Sequence, residues 1–552
     1  MSQIENAGDT LGPQKNQNII LAKKIIIELY QQGVREFCLC AGARNSPLVV
    51  LLSGFSKAKI YHFFEERSAA FFALGRIQQT GAPVAVVTTS GTAVAELLPA
   101  TVEAYYSGWP LVLVTADRPR SYRGTGAPQS IEQAGIFGVY VDTCLDIESY
   151  DEELNFNWWT RKRALQVNVC FAEPLLDGHA ATDPVFQNWE SGVDLLDSLQ
   201  TRSALTATVQ LQPPQMRYLK NPLVIAGNLS TAEKDVVIEY IKKWKLPVYA
   251  ESLSNLRGVK EIESFLLKGG EKTVSSLVQR GLCQSILRVG GVPTLRLWRD
   301  LEEKLNHIPV YSVGTVEFSG LSRSSFCWSG LNNLQFLQPK ISNEVHSVWW
   351  TQIQEIDSKF YEKISEILWG LPKSEAAFIK TFAEGTQGES IYLGNSLPIR
   401  EWDLSTETHW QYQQIYGHRG ANGIDGQLSG FLGTCQNQTR NWCLLGDLTT
   451  LYDLAAPWAI SQIAECSVNL VIVNNSGGQI FQPMFGHPGF INAHQLQFSY
   501  WAKMWNAHYE LVTDADQLKS VIERSQIGFR VIELRPDSEQ SSTFWKAYKD
   551  LC

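Results

Sequence analysis

A chain of 552 residues is too long for a single hydrophobic core, so we expect roughly two to four domains. Hydrophobic residues make up 44% and charged residues 19% of the chain, which is the balance of an ordinary globular protein. The net charge of -9 argues against a general nucleic-acid partner, because phosphate binding requires a basic surface. Any anionic ligand must therefore be bound by a local group of arginines.

The N-terminal segment and the cysteines bear on cellular location. Residues 1–18 are polar and lack the apolar core of a signal peptide. No stretch approaches the roughly 18 consecutive apolar residues that a membrane span requires. The 10 cysteines form no CxxC pair and several lie inside apolar runs, which favours reduced thiols over zinc ligands or disulfides. We expect a cytoplasmic protein without a membrane span.

Short apolar runs alternate with helical patterns from residue 18 onward. The first runs fall at 35–42, 59–64, 83–89 and 110–117. They are continuously apolar, not alternating, so each is predicted to be a strand buried on both faces. Such strands are typical of a doubly wound parallel sheet with helices on each side, which gives an α/β fold class.

This rhythm recurs twice along the chain. A polar stretch at 187–216 is predicted to be a linker, and a second α/β block follows it. A helical, aromatic stretch at about 340–385 precedes the third block, whose rhythm is like that of the first. We predict three domains, at 1–186, 187–368 and 369–552.

The third block contains a strand–helix–strand pattern whose strands both end in polar residues. Asp447 follows the first strand, and Asn474 and Asn475 follow the second. In a parallel sheet both positions lie at the carboxyl edge, where ligands bind. Carboxylate and amide oxygens suit Mg²⁺ or Ca²⁺. Gly-Asp and Asn-Asn are also ordinary loop dipeptides, so the pattern by itself leaves metal binding open.

The residues around this pattern also suit a bound phosphate. The amides at the start of the helix, from Leu448 to Thr450, would point toward it. Gly477 and Gly478 would let the backbone approach a ligand closely.

The pattern resembles the diphosphate motif of thiamine-diphosphate enzymes, with Gly-Asp at 446–447 and Asn-Asn at 474–475. The resemblance implies thiamine diphosphate as cofactor, held through Mg²⁺ or Mn²⁺ by Asp447, Asn475 and the carbonyl of Gly477. It alone selects Asn475 over Asn474. The cofactor contacts implied at this end of the chain are Gly446, Asp447, Leu448, Thr449, Asn475, Gly477 and Gly478.

Enzymes of this superfamily also need a glutamate beside the cofactor's aminopyrimidine ring, where it promotes proton removal from the thiazolium carbon. Glu66, in the segment HFFEERSAAFFALG, matches that glutamate. The alternative is an acidic residue that merely stabilises a helix N-terminus. The nearby segment TTSGTAVAELLP also resembles the superfamily, which implies cofactor contacts at Ser90, Gly91 and Thr92.

Six segments are similar to one branch, the 2-succinyl-5-enolpyruvyl-6-hydroxy-3-cyclohexene-1-carboxylate (SEPHCHC) synthase family of menaquinone biosynthesis. They are AGARNSPL, TADRP, GNSLPIR, HRGANGIDG, GDLTTLYDL and NNSGGQIF. The likeness covers nearly the whole chain and is weakest in the middle block. It implies decarboxylation of 2-oxoglutarate on the cofactor and conjugate addition of the succinyl unit to isochorismate. It also implies a homodimer at least, with a homotetramer possible, because the two halves of each cofactor site come from different subunits.

Both implied substrates are dicarboxylates, which call for cationic side chains in a site that excludes water. By the same resemblance, Ile424 packs against the cofactor. The implied substrate contacts are Arg44, Arg118, Gln129, Arg296, Ser396, Arg400, Arg419, Ile480, Phe481 and Met484.

Two departures from the family pattern stand out. The usual Pro-Gly-Ser-Arg reads Ala-Gly-Ala-Arg, so Ala43 lacks a hydroxyl group. A Lys-Arg pair reads Leu295-Arg296, so only the arginine is carried over. Two other functions stay open: another thiamine-diphosphate carboligase or decarboxylase, such as an acetolactate-synthase-like enzyme, and an inactive homologue that only binds. The arginines disfavour the first, and Glu66, Asp447 and Asn475 together disfavour the second.

Overall fold

The structure is a computed structural model, and it describes residues 17–187, 189, 215–340, 343–463, 465–524 and 527–551. Most of the predicted linker at 187–216 lies outside these residues. Among the helices described, none has the length and apolar character to cross a membrane. The nine cysteines within the described ranges are all free, and most of them are buried.

The first sheet has six parallel strands in the order β2-β1-β3-β4-β6-β5. The strands are β1 Glu36–Cys40, β2 Lys59–Phe63, β3 Val84–Thr88, β4 Leu111–Asp117, β5 Val141–Ile147 and β6 Ala164–Cys170. The helices are Asn18–Gln31, Ser46–Ser53, Glu66–Thr80, Thr92–Ala95 and Leu98–Ser107. Every residue of β3 and β4 is buried, as their continuous apolar runs predict. The prediction of burial on both faces is wrong for the run at 59–64, because β2 is an edge strand that exposes Lys59 and His62.

The middle of the chain forms a five-stranded parallel sheet in the order β12-β11-β10-β8-β9, beside a two-stranded sheet of β7 and β13. The strands are β7 Arg217–Lys220, β8 Pro222–Ala226, β9 Val248–Ala250, β10 Ser285–Val289, β11 Val310–Gly314, β12 Phe326–Ser329 and β13 Leu337–Lys340. The helices are Thr231–Trp244, Gly270–Gln279, Arg296–Asp300 and Asn343–Gly370.

The third sheet repeats the order of the first, as β15-β14-β16-β17-β19-β18, and is also parallel. The strands are β14 Ser390–Leu393, β15 Gln414–Tyr416, β16 Arg440–Gly446, β17 Ser467–Val473, β18 His508–Val512 and β19 Gly528–Leu534. The helices are Glu375–Gly385, Leu397–Ser405, Gln427–Thr434, Asp447–Tyr452, Gln482–Phe485, Ser499–Met504, Ala515–Glu523 and Ser538–Asp550.

The predicted α/β class is confirmed by these parallel sheets and their flanking helices. The three domain ranges stay predictions. The predicted boundary between residues 368 and 369 falls inside the last turn of helix Asn343–Gly370.

Helix Glu66–Thr80 of the first sheet packs against helix Gln427–Thr434 of the third, and glycines set how closely they approach. A Cβ at Gly75 would collide with the Gly430 carbonyl oxygen, and one at Gly433 would collide with the backbone of the first helix. Phe71, Phe72, Leu428 and Phe431 lie in one core cluster that is continuous between the two sheets. The close contact fixes the carboxyl edge of each sheet relative to the other.

Candidate functional site

Asp447 and the two asparagines come together because β16 and β17 are neighbours in register, with Gly446 opposite Val473. Asp447 Oδ1 accepts a hydrogen bond from the Leu448 N–H at 2.6 Å, and Oδ2 accepts one from the Gly477 N–H at 2.9 Å. Burial raises the pKa of Asp447, and those two N–H groups oppose the shift by stabilising the carboxylate. The side chain is therefore a buried carboxylate held by the two loops.

The two adjacent asparagines have different surroundings. The Nδ2 group of Asn474 donates to Glu533 Oε1 at 2.8 Å and to the Leu496 carbonyl at 3.0 Å, while its Oδ1 accepts from the Ser476 N–H at 3.2 Å. The side chain of Asn474 is thus fully used inside the fold. Asn475 Nδ2 donates to Glu375 Oε2 at 2.9 Å, and its Oδ1 is buried without any partner. Only Asn475 has an oxygen available to a ligand.

Further groups lie near the Asp447 carboxylate and the Asn475 Oδ1. Gly477 has a φ of 132°, and a Cβ there would lie 2.5 Å from the Ile491 carbonyl oxygen, so only glycine fits this turn. The Gly477 carbonyl accepts from the Gln479 N–H at 2.9 Å. His494 Nε2 lies 3.2 Å from Asp447 Oδ2, a neighbour that the sequence did not indicate. The described residues contain no group of three His, Cys, Asp or Glu side chains that could hold a metal.

The next two strands of the same sheet carry polar residues at the same edge. Ser396 follows β14 with a φ of 78°, and Arg419 follows β15. Arg419 is 8% exposed; its Nη1 donates to Asn395 Oδ1 at 2.8 Å and its Nη2 has no partner. Burial lowers the pKa of Arg419, and the positive charge of Arg400 lowers it further. The edge therefore has a buried guanidinium with unused donor capacity.

On the first sheet, Glu66 opens the helix that follows β2. The preceding residue, Glu65, is the helix cap, since its carboxylate accepts from the N–H groups of Arg67 and Ser68 at 3.2 and 2.9 Å. Glu66 is left half-buried and outside that cap. Burial raises the pKa of Glu66, and the negative charges of Glu65 and Glu96 add to the shift. Glu65 is therefore the cap, whereas Glu66 lies in the first turn of the helix, where a carboxylate also stabilises the N-terminus, so the alternative for Glu66 stays open.

Arg118, Ser90 and Gln129 meet at the carboxyl edge of β3 and β4. Arg118 Nη1 donates to Ser90 Oγ at 3.3 Å and to the Gln129 carbonyl at 3.2 Å. A Cβ on Gly91 would lie 3.1 Å from the Gln129 side chain, so the loop and the Ser90–Gly91 turn are in contact. Arg44 Nη1 donates to the Phe171 carbonyl at 2.9 Å, and its Nη2 pairs with Glu173 at 3.1 Å.

Three further predicted residues are largely exposed. Arg296 has a side chain 63% exposed and pairs only with Asp300, at 3.4 Å. Phe481 and Met484 are exposed apolar side chains just beyond the Asn475 loop. The two sides are joined by hydrogen bonds between neighbouring residues: Arg67 Nη2 donates to the Tyr452 carbonyl at 3.0 Å, and Ser68 Oγ donates to Asp453 Oδ1 at 3.4 Å.

Comparison with known proteins identifies the family of this chain. A family model described as thiamine pyrophosphate enzyme, N-terminal TPP binding domain, matches residues 21–136. A SEPHCHC synthase of Bdellovibrio bacteriovorus is 45% identical over 538 residues, which cover 96% of this chain and 98% of the relative. The chain belongs to the SEPHCHC synthase family. It is also similar to the synthase of Akkermansia muciniphila, at 35% identity over 95% of this chain and 98% of the relative, and to that of Oceanobacillus iheyensis, at 29% over 94% and 95%.

As a member of the SEPHCHC synthase family with this N-terminal domain, the chain is a thiamine-diphosphate-dependent enzyme. Its fold adds polar residues that sequence reasoning missed. Asn395 holds the Arg419 loop through the His418 and Gly423 carbonyls, at 2.8 and 2.6 Å. The only available signal for Asn395 was its place beside Ser396 in the GNSLPIR segment.

Two buried glutamates of this SEPHCHC synthase family member, Glu103 and Glu375, were also not predicted from the sequence. Glu103 accepts from the Gly420 and Ala421 N–H groups at 2.7 Å each, which anchors the Arg419 loop to a helix of the first sheet. Glu375 accepts from Asn475. No local sequence pattern identifies Glu103 or Glu375, because the groups that they bind are distant in sequence.

Proposed function

We propose that the protein decarboxylates 2-oxoglutarate and adds the resulting succinyl unit to isochorismate in a conjugate, 1,4-type addition. The product would be 2-succinyl-5-enolpyruvyl-6-hydroxy-3-cyclohexene-1-carboxylate, with the enolpyruvyl group retained. Family membership supports the reaction. The observation that carries the substrate class is the buried Arg419 guanidinium, whose Nη2 has no partner and which lies at the same sheet edge as Asp447. A buried cation with free donors favours an anionic ligand such as a dicarboxylate.

For the metal, the proposed ligands are Asp447, the Asn475 Oδ1 and the Gly477 carbonyl. The buried, unpartnered Asn475 Oδ1 beside a buried carboxylate fits Mg²⁺ or Mn²⁺, because both prefer oxygen ligands. When bound, thiamine diphosphate would supply a nucleophilic thiazolium carbon and a cationic ring that accepts the electron pair released on decarboxylation. The proposed backbone contacts of its diphosphate are Gly446, Leu448, Thr449 and Gly478, and Ile424 would pack against its rings.

Glu66 is the proposed catalytic residue. Its half-buried carboxyl group has a raised pKa and would hydrogen-bond to a ring nitrogen of the aminopyrimidine. Ser90, Gly91 and Thr92 would contact the cofactor at the same edge. Arg118 donates to Ser90 and would bring a cation close to the reacting carbon.

The substrate carboxylates are assigned to the arginines with help from polar neighbours. Burial lowers the pKa of Arg419, Glu251 opposes that shift and the positive charge of Arg400 adds to it, so a substrate carboxylate bound there would stabilise the charged guanidinium. Arg44, Gln129, Ser396 and Arg296 complete the proposed polar contacts. Ile480, Phe481 and Met484 would form an apolar wall that keeps water from the ring substrate.

A homodimer, or a homotetramer built from such dimers, would join the Glu66 side of one chain to the Asp447 side of another. Exposed apolar side chains support this assembly, because an uncovered patch of this kind is typical of a subunit interface. They are Phe64, Tyr452, Trp458, Tyr500 and Met504. We also propose a cytoplasmic location, which the free thiols support.

One assay tests the reaction. The protein is mixed with thiamine diphosphate, Mg²⁺, 2-oxoglutarate and isochorismate, and isochorismate absorbance is followed together with CO₂ release. The absorbance should fall only when every component is present, and mass spectrometry should find the succinyl adduct. Turnover with pyruvate in place of 2-oxoglutarate would favour the acetolactate-synthase-like alternative. Binding of the cofactor without any turnover would favour the inactive homologue.

A further inference from the structure

Glu375 lies directly behind the proposed metal ligand Asn475. It is the first residue of helix Glu375–Gly385 and is 2% exposed. Its Oε2 accepts the hydrogen bond from Asn475 Nδ2 at 2.9 Å. A carboxylate oxygen can only accept, so this contact requires the Asn475 amide to present Nδ2 to Glu375 and Oδ1 to the opposite side. The opposite side is where the oxygen is buried without a partner.

Glu375 is held in turn by a second buried carboxyl group. Glu401, on helix Leu397–Ser405, is completely buried, and its carboxyl group lies beside that of Glu375. Glu401 Oε1 accepts from Trp545 Nε1 at 2.9 Å. The oxygens left without a donor are Glu375 Oε1 and Glu401 Oε2. Two buried carboxyl groups in contact need a proton between them, and with that proton on Glu401 the Glu375 side chain remains a carboxylate that accepts from Asn475.

The result is a hydrogen-bond chain with one direction. Trp545 donates to Glu401, Glu401 donates to Glu375, and Asn475 donates to Glu375 from the other side. Reversing the direction of any of these hydrogen bonds would favour a flipped Asn475 amide, with Nδ2 facing the metal position.

We infer that Glu375, backed by Glu401, is a positioning residue that fixes the Asn475 amide with its oxygen toward the divalent metal. The inference rests on the proposed function, because it assumes that Asn475 is a metal ligand. Groups that orient metal ligands typically change metal affinity by about 10–100-fold when they are removed. Glu375 would act on metal affinity without touching the metal, the cofactor or either substrate.

Isosteric substitutions test the direction of this hydrogen-bond chain. In Glu401→Gln, the new amide donates its N–H to Glu375 and keeps its oxygen on Trp545, so Asn475 should stay oriented; this variant is the control. In the double variant Glu375→Gln plus Glu401→Gln, the oxygen of the new amide at 375 accepts from position 401. The N–H group of the amide at position 375 then faces Asn475, so the side-chain amide of Asn475 should flip.

Metal affinity is measured by titrating Mn²⁺ into each protein at saturating thiamine diphosphate, with free Mn²⁺ followed by electron paramagnetic resonance. Glu401→Gln should bind within about threefold of the unsubstituted protein, and the double variant at least about tenfold more weakly than Glu401→Gln. Urea midpoints of the two variants without ligands should agree. Glu375→Leu, which removes the acceptor, provides a second variant and should also lose about tenfold.

Equal Mn²⁺ affinity in the double variant and in Glu401→Gln would overturn the inference, as would unchanged affinity in Glu375→Leu. A tenfold loss in Glu401→Gln alone would overturn the assigned direction of the chain. Asp447→Ala separates the inference from the proposed metal site. If Asp447→Ala binds Mn²⁺ normally, the metal site itself is wrong; if it loses Mn²⁺ while the double variant does not, only the role of Glu375 is wrong.

Discussion

Glu103 Oε1 accepts a hydrogen bond from the Gly420 N–H at 2.7 Å, across 317 residues of sequence. The bond ties the loop that carries Arg419 to a helix of the first sheet. Glu103 is 3% exposed, and burial raises its pKa while the N–H groups of Ala421 and Gly420 oppose that shift. The position of the proposed substrate arginine thus depends on a contact between two parts of the chain that fold around different sheets.

Glu103→Gln should loosen this loop. An amide can accept only one of the two N–H groups well and turns its own N–H group toward the other, which should cost about 1–3 kcal/mol of stability. The KM for 2-oxoglutarate should rise as well. Urea unfolding and steady-state kinetics measure the two effects, with Glu239→Gln, on the surface, as the control. An unchanged KM would mean that the loop holds its position without Glu103.

Asn475→Ala and Asn474→Ala should separate metal binding from stability. Asn475→Ala removes the free oxygen and should weaken Mg²⁺-dependent binding of thiamine diphosphate by at least about tenfold. Asn474→Ala removes bonds to Glu533 and Leu496 and should lower the free energy of unfolding by about 1–3 kcal/mol, with metal affinity retained. Calorimetric titration and urea unfolding check both variants; the opposite pattern would make Asn474 the ligand.

Glu66→Gln should lower kcat by about 10²–10⁴-fold and leave the affinity for thiamine diphosphate within a few-fold. The amide keeps the size of the side chain but cannot hold a proton at the ring nitrogen. Glu65→Gln is the matched control: it weakens the helix cap and should reduce stability more than turnover. Full activity in Glu66→Gln would rule out its catalytic assignment.

Arg419→Met should lower kcat/KM for 2-oxoglutarate by about 10–100-fold, because a hydrogen bond to a charged group contributes about 1.5–3 kcal/mol. Arg524→Met removes an exposed arginine that pairs with Glu510 at 3.0 Å and should leave kcat/KM unchanged. Initial rates at varied 2-oxoglutarate give the comparison. Equal effects of the two variants would mean that Arg419 does not meet the substrate.

His418 predicts a pH dependence of stability. It is fully buried beside Phe71, Trp109 and Tyr392, both ring nitrogens lack partners, and burial lowers its pKa from 6.5 to about 3. The unfolded chain binds the proton first, so stability is lost as pH falls below 6.5 and continues to fall until about pH 3.

Between pH 7 and pH 5 the loss from this histidine should be about 2 kcal/mol. In His418→Leu the difference between the two pH values should shrink by that amount, whatever the substitution costs at pH 7. Urea unfolding at both pH values measures it. His508→Leu, at an exposed position, should keep the pH dependence of the unsubstituted protein; if His418→Leu also keeps it, His418 is not the group responsible.

Local sequence was sufficient to predict much of this protein. Continuous apolar runs predicted the buried strands β3 and β4, because helices cover a central parallel strand on both faces. The ends of β16 and β17 predicted that Asp447 and the asparagine pair would meet, since adjacent parallel strands end at the same edge. Similar segments indicated the family, and the comparisons confirmed it.

Tertiary structure decided which polar atoms are left free. Asn474 and Asn475 are identical residues side by side, and their sequence does not distinguish them. The surrounding contacts do: Asn474 is hydrogen-bonded to Glu533, whereas the Asn475 Oδ1 has no hydrogen-bond partner. Glu375 and Glu103 reach their partners over 100 and 317 residues. Periodicity and turn chemistry act over a few residues, whereas the partner of a buried polar group depends on how distant helices pack, so no local pattern could have identified these contacts.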